Sequence, residues 1–241
     1  MNRRGVGRAI SSLPFVLAFF LASCDDDSPT GSNSTTTTTT APASSANTFL
    51  RAAPMAFDAR TVDVVVNGAS GNQTIGAISY GQVSQYLELG AAEYRVQFFP
   101  VGNRTAPLAE TTVTLSADQA VTVALVGLSS FDIEVLEDDR IESSASAGVA
   151  MTNTIPDFPA PLDAVILNGP TLFENVGYLE TTDATEVIPG AYTIQLRRAG
   201  TNEPVATSTG HDLAAGTNYT IFAVGSLARG DMRVVVASDA P

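Results

Sequence analysis

The chain contains no lysine, no tryptophan, one histidine and one cysteine among its 241 residues. Each scarcity removes a class of chemistry. Without lysine there is no phosphate-cradling Gly-Lys loop, and no G-x-G-x-x-G run is present either. One histidine and one cysteine are too few for a zinc site built from those residues. A nucleophilic triad needs a base beside its nucleophile. The single candidate base, His211, sits in Ser208-Thr209-Gly210-His211-Asp212 and is read as a solvated residue in a loop before a strand. His211 and Asp212 are sequence neighbours, and such neighbours rarely face each other. The lack of tryptophan removes the strongest sugar-stacking side chain. These counts call for no cofactor, no catalytic residue and no His/Cys-bound metal.

Positive charge is scarce too. Twelve arginines face 25 acids, for a net charge of −13. Such a surface repels phosphate backbones and anionic headgroups, which argues against a nucleic-acid partner.

What basic charge there is begins at the N-terminus. Arg3, Arg4 and Arg8 precede an apolar run from Leu13 to Ala22, and Leu21-Ala22-Ser23-Cys24 is followed by Asp25-Asp26-Asp27. A basic start, a short apolar core and small residues before a break make a secretory signal. The run is shorter than the ~20 apolar residues a membrane-spanning helix needs, and Pro14 disfavours a long regular helix. The expectation is a signal peptide over 1–23. Its removal would take away three arginines and no acid, moving the net charge from −13 to −16.

Leu-Ala-Ser-Cys resembles the lipobox of bacterial lipoprotein precursors. The resemblance implies cleavage before Cys24, a diacylglyceryl thioether on its sulfur and acylation, usually palmitate-like, of the new amine. It also accounts for a lone cysteine in an exported chain, where no internal disulfide partner exists. Two or more acyl chains hold stably, at about 0.8 kcal/mol per buried CH₂. The implied partner is a membrane of the bacterial cell envelope, reached through the lipid. Residues 24–47 then form the anchor site and a Ser/Thr-rich linker with no large apolar side chain, including Thr35–Thr40. Such a segment cannot offset its ordering entropy. Fully stretched it would reach roughly 75 Å.

The remainder is organised as a repeat. Val62-Asp63-Val64-Val65-Val66-Asn67-Gly68 is answered by Leu162-Asp163-Ala164-Val165-Ile166-Leu167-Asn168-Gly169. Glu93-Tyr94-Arg95-Val96-Gln97 is answered by Ala191-Tyr192-Thr193-Ile194-Gln195, and Val121–Gly127 by Tyr219–Gly225. The polar stretch Asp138–Ala147 separates the copies, giving repeats over 48–139 and 146–241. Period-two alternation with β-branched and aromatic residues predicts strands. Asn67-Gly68 and Asn168-Gly169 predict tight turns. About eight strands per copy, with turns every 8–12 residues, predict an all-β chain of two tandem immunoglobulin-like β-sandwich domains; a closed barrel is the alternative.

The order of these segments, with Tyr80-Gly81-Gln82-Val83-Ser84-Gln85-Tyr86-Leu87-Glu88 in the first copy, resembles the bacterial family known as domain of unknown function 4397, often tandem in exported proteins. The resemblance spans about residues 48–241 and is looser in the second copy, where Tyr178-Leu179-Glu180-Thr181-Thr182 replaces the Gly-Gln-Val-Ser core. Members typically open each copy with a His-Ala-Ser-Pro-Asp-Ala-Pro-like stretch. Arg51-Ala52-Ala53-Pro54-Met55 and Ile155-Pro156-Asp157-Phe158-Pro159 stand there instead, and both lack the histidine.

Calcium takes oxygen ligands, and Glu137-Asp138-Asp139 and the pair Asp231, Asp239 are the candidates, with Arg140 the expected ion-pair partner at the junction. Tyr80, Tyr86, Tyr94, Tyr178, Tyr192 and Tyr219 read as strand-packing residues. The leading expectation is a non-enzymatic, lipid-anchored envelope protein displaying a binding or structural module to a protein partner. The competing expectations are a carboxylate-dependent hydrolase and a calcium-dependent adhesion module.

Overall fold

The structure is a computed structural model and describes residues 47–239. The expected signal segment, Cys24 and nearly all of the expected linker lie outside the described residues. Sixteen strands fall into two runs of eight. The first is β1 (Asn47–Pro54), β2 (Thr61–Gly68), β3 (Gly71–Ser79), β4 (Leu87–Gly90), β5 (Glu93–Pro100), β6 (Ala109–Thr114), β7 (Ala120–Gly127) and β8 (Phe131–Glu137). The second is β9 (Ala147–Asn153), β10 (Leu162–Ile166), β11 (Thr171–Val176), β12 (Thr185–Val187), β13 (Gly190–Arg198), β14 (Pro204–Leu213), β15 (Asn218–Val224) and β16 (Arg233–Ser238).

Each run makes two four-stranded sheets in the same order. The first gives β4-β1-β7-β8 and β3-β2-β5-β6; the second gives β12-β9-β15-β16 and β11-β10-β13-β14. The repeat read from sequence is therefore a repeat of topology, and the fold is two β-sandwiches. In each, the opening strand runs parallel to the seventh, with Arg51 opposite Thr122 and Ala150 opposite Thr220.

Three repeated residues show why the pattern recurs. The carboxylate of Asp63 accepts from the Ala77 and Gly102 amides at 2.9 and 3.1 Å; that of Asp163 accepts from Asn175 and Gly200 at 2.8 and 2.9 Å. Ala77 and Asn175 carry positive φ, 48° and 60°. The aspartate thus holds a left-handed bulge to the turn after the fifth strand. Tyr94 donates to the Gly90 carbonyl and Tyr192 to that of Ile188, each four residues back. Gly127 and Gly225 have φ of 102° and 127°, and a Cβ on Gly127 would stand 2.1 Å from the Ser130 carbonyl oxygen, so the turn before the eighth strand admits only glycine.

The Asn-Gly turn expectation holds in one copy. Asn168 has φ 64° in the turn between β10 and β11. In the first copy Asn67 and Gly68 pair with Asn72 and Gly71 inside the ladder, and the turn is Ala69-Ser70. Gly68 serves the core there instead: a Cβ would lie 2.5 Å from the Tyr94 ring.

Three apolar clusters result. One fills the first sandwich around Leu50, Val64, Phe98 and Val123, and one the second around Met151, Leu162, Ile194 and Ile221. The third joins them. Ala53, Met55, Ala124, Val126 and Leu136 from the first repeat pack with Phe222, Val224 and Ala237 from the second. The central strands of the β4-β1-β7-β8 and β12-β9-β15-β16 sheets, β1 and β7 in the first and β9 and β15 in the second, are therefore covered on both faces. That is why β7 (Ala-Val-Thr-Val-Ala-Leu-Val) is buried along almost its whole length rather than alternately.

Candidate functional site at the junction of the repeats

The face that joins the sandwiches is assembled reciprocally. The Tyr80 hydroxyl donates to Asp231 at 2.9 Å, and its ring lies 4.3 Å beneath the Arg233 guanidinium. Its counterpart Tyr178 stands in the field of Asp132 and Glu134 on β8. Each repeat thus extends the connector after its third strand to the other's last strand, as in an isologous two-fold contact.

Near the centre lies a buried charge cluster. Thr122 donates to Asp138 at 2.7 Å, and its repeat counterpart Thr220 donates to Asp239 at 2.8 Å. Asp138 and Asp239 are themselves counterparts, each one residue past the end of the last strand of its repeat. Arg51 bridges them. One Nη2 contacts Asp138 at 3.3 Å and also pairs with Asp239; Nε donates to Thr122 at 2.7 Å and Nη1 to the Ser238 carbonyl at 2.8 Å. The three side chains are 1%, 3% and 1% exposed. Tyr86 donates to Asp138 at 2.6 Å and lies under Arg51, 4.7 Å from its guanidinium carbon to the ring centre.

The electrostatics follow from burial. Desolvation opposes the Arg51 charge, but Asp138 and Asp239 outweigh it and hold the guanidinium above its ordinary pKa. Desolvation raises the Asp239 carboxyl; Arg51 pulls it back and Asp138 pushes it further up. Burial pushes Tyr80 and Tyr86 well above the ordinary value of 10.0, aided by Asp231 and Asp138 respectively. A tyrosine whose folded pKa is raised supports the fold below pH 10 and ceases to do so as pH climbs beyond it. Spectrophotometric titration of the phenols is expected to show Tyr80 and Tyr86 ionising only together with alkaline unfolding, and Tyr86→Phe to lower stability at neutral pH while making its further loss above pH 10 shallower. Early, fully reversible ionisation of all six tyrosines in the folded chain would contradict this.

The residues singled out in the sequence are placed as follows. Asp138 and Asp239 come together, although 101 positions apart, on a partner the sequence reading did not select. Arg140 is not that partner: its guanidinium lies 5.8 Å from the Tyr86 ring, with Nε and Nη2 buried and unpaired. Arg51 takes the role because β1 runs through the middle of its sheet, between β4 and β7, whereas Arg140 lies beyond β8. The available signal was a charged residue within the apolar run Phe49-Leu50-Arg51-Ala52-Ala53. Asp231 accepts from Tyr80 and from the Ser226 amide, Glu137 from Gln119, and Asp139 from the Arg140 and Ala184 amides. Among the described residues, no three of His, Cys, Asp and Glu converge in a way that could hold a metal ion.

His211 corrects the loop expectation. It lies within β14, opposite Tyr192, and its Nε2 is 2.8 Å from the Ser208 hydroxyl. Gly210, with φ 77°, sits at an irregularity in this pairing, which turned the Gly-His-Asp signal from a loop into a bulged strand. Burial lowers the His211 pKa. Asp212 is the next strand residue and so points to the other face.

Two clefts flank the junction. One, about 970 Å³, lies between the Gly81–Leu87 connector and β16 and has no charged side chain in its lining. The other, about 840 Å³, lies along β8; its wall is mainly acidic and includes Asp138 of the cluster, its neighbours Glu137 and Asp139, and Arg140. Asp239, the carboxyl with the raised pKa, is in neither wall. Among the described residues, no helix is long and apolar enough to cross a membrane.

A sequence profile for the family described as "Domain of unknown function (DUF4397)" matches residues 48–163 and 147–241. No curated protein matches the chain. Solved structures give distant likenesses. The Bacillus anthracis TIE protein is 11% identical with a TM-score of 0.28, over 75% of this chain and 34% of its own, so this chain spans about a third of it. A family 26 carbohydrate-binding module from Eubacterium rectale Amy13K, solved with maltoheptaose, is 10% identical with a TM-score of 0.25, over 81% and 98% of the two chains. A Bacteroides fragilis protein described as a cell-adhesion candidate is 14% identical with a TM-score of 0.20, over 75% and 84%. At these scores the likenesses carry no functional argument.

Proposed function

The chain belongs to the DUF4397 family, and on that premise we propose that it is a lipid-tethered protein of the bacterial cell envelope that displays its two β-sandwiches as one rigid binding or structural surface. The observation that carries this reading is the shared layer between the sandwiches. Flexible tandem modules expose separate surfaces, whereas Phe222, Met55 and their neighbours bury an apolar face common to both repeats, so the pair is presented as a single body. The Leu21-Ala22-Ser23-Cys24 sequence and the Ser/Thr-rich stretch after it support attachment by lipid at Cys24 and a spacer that holds that body off the bilayer.

The charged groups favour display over catalysis. The buried carboxylates Asp138 and Asp239 are tied up by Arg51 and two threonines. His211 is bonded to Ser208 within a strand. A carboxylate hydrolase needs an acid of raised pKa facing a concave site, and Asp239 faces neither cleft. A turnover assay in which Glu134→Gln abolished activity would replace this reading with the hydrolase one.

The attachment has a direct test. With Cys24→Ser, the protein is expected to move from the membrane fraction to the soluble fraction and to stop incorporating labelled palmitate. A Cys24→Ser protein that stays in the membrane fraction would refute the lipid tether.

A further inference from the structure

The cluster at the junction is unbalanced in a way the repeat itself explains. Reciprocal packing brings the Thr122–Asp138 pair of one repeat towards the Thr220–Asp239 pair of the other. Two carboxylates therefore meet by symmetry. The cation that joins them has no counterpart, because the position equivalent to Arg51 is Ala150, itself buried. One guanidinium and two carboxylates leave one negative charge in a site whose side chains are 1–3% exposed. Glu137, Asp139 and Arg140 border the same cleft as Asp138; Arg140 sits over the Tyr86 ring and makes no ion pair with either aspartate of the cluster. Tyr86 supplies a hydroxyl to Asp138 and Thr220 one to Asp239.

A net negative charge on side chains this buried costs several kcal/mol; Asp138 borders the acidic cleft, and the neutralising particle that fits the packed site beside it is a proton. We propose that the Arg51–Asp138–Asp239 triad binds one proton, so that the packing of one sandwich on the other tightens as the surroundings become mildly acidic. Asp239 is the carboxyl placed to hold it, because burial and the neighbouring Asp138 charge both oppose its ionisation. The direction agrees with the raised Asp239 carboxyl. A carboxyl whose folded pKa exceeds its unfolded value gives support that is complete at low pH and is lost as pH rises through the folded value. The device depends on an arginine in one repeat and an alanine at the equivalent place in the other.

The test compares urea unfolding of the full chain and its Asp239→Asn variant from pH 8 to pH 4.5. The ratio of their unfolding constants is the readout, because His211, Asp63 and Asp157 contribute equally to both chains and cancel. The wild type is expected to gain on the variant as pH falls, by up to about tenfold per pH unit where the triad takes up its proton. Asp138→Asn is expected to give the same pH-dependent ratio. A ratio independent of pH for both variants would overturn the proposal. Should the variants not fold, carboxyl-carbon NMR of aspartate-labelled wild type decides: one carboxyl titrating well above the ordinary aspartate range supports the proposal, and its absence refutes it.

Discussion

Replacing Arg51 by methionine is expected to lower the unfolding free energy by about 3–5 kcal/mol, the cost of removing one member of a buried ion-pair cluster. Methionine fills much of the volume of the arginine stem, so packing is largely kept. What it cannot replace is the charge and four donated contacts: those to Asp138, Asp239, Thr122 and the Ser238 carbonyl. Two carboxylates then face one another without a cation, on side chains only 1–3% exposed. The loss should be recovered in large part when the negative charges go too. The triple variant Arg51→Met, Asp138→Asn, Asp239→Asn is expected to be markedly more stable than Arg51→Met alone, since replacing a whole buried ionic cluster by neutral groups is often neutral or favourable. Chemical denaturation of the three chains measures both steps. If Arg51→Met alone costs less than about 1 kcal/mol, within the range of a surface pair, the cluster is not the structural centre of the junction.

The second large effect is expected at Phe222. It is completely buried in the layer between the sandwiches, and Phe222→Ala should cost about 3–5 kcal/mol by lost transfer energy and an unfilled cavity. The repeat gives this substitution a built-in comparison. Phe222 and Ala124 occupy equivalent places on β15 and β7 and lie in the same cluster, so one repeat provides the large residue and the other the small one. The exchange Phe222→Ala, Ala124→Phe keeps the total volume and is expected to recover part of the loss, as volume-conserving core changes are the best tolerated. Wild type is expected to unfold in a single transition, because opening either sandwich uncovers the shared layer. A biphasic wild-type curve, or a Phe222→Ala loss below about 1 kcal/mol, would mean that the two sandwiches are energetically separate.

Both results bear on the proposed role. A tethered module can present one continuous surface only if its two halves do not move independently. The layer around Phe222 and the Arg51 triad are the contacts that join those halves. The neutral and acidic clefts on either side of the junction are parts of that surface which neither repeat has alone.

The all-β architecture was legible because it is written in local, periodic patterns. Alternation in Tyr94–Phe98 and Tyr192–Leu196 names half-buried strands, and the correspondence of Asp63 with Asp163, Tyr94 with Tyr192 and Gly127 with Gly225 names the repeat. Each of those residues acts within its own repeat, through a bulge, a corner or a turn, so a single stretch of chain contains most of what it does. Local patterns failed where a neighbour in space changed a residue's task. Gly68 looked like a turn glycine and proved to be the flat seat of the Tyr94 ring. His211 looked like a loop residue and was drawn into β14 by pairing with Tyr192.

By itself, then, the sequence determined the strand content and the two copies of eight strands, because these depend on composition and on spacing within a few residues. The tertiary structure alone decided that the faces of β7 and β15 turned away from their own cores meet each other, and that Asp138 and Asp239 share Arg51. Those contacts join residues up to 188 positions apart. Nothing in a period-two pattern encodes which outer face a strand will cover, since an apolar residue gains the same burial from any close-packed neighbour.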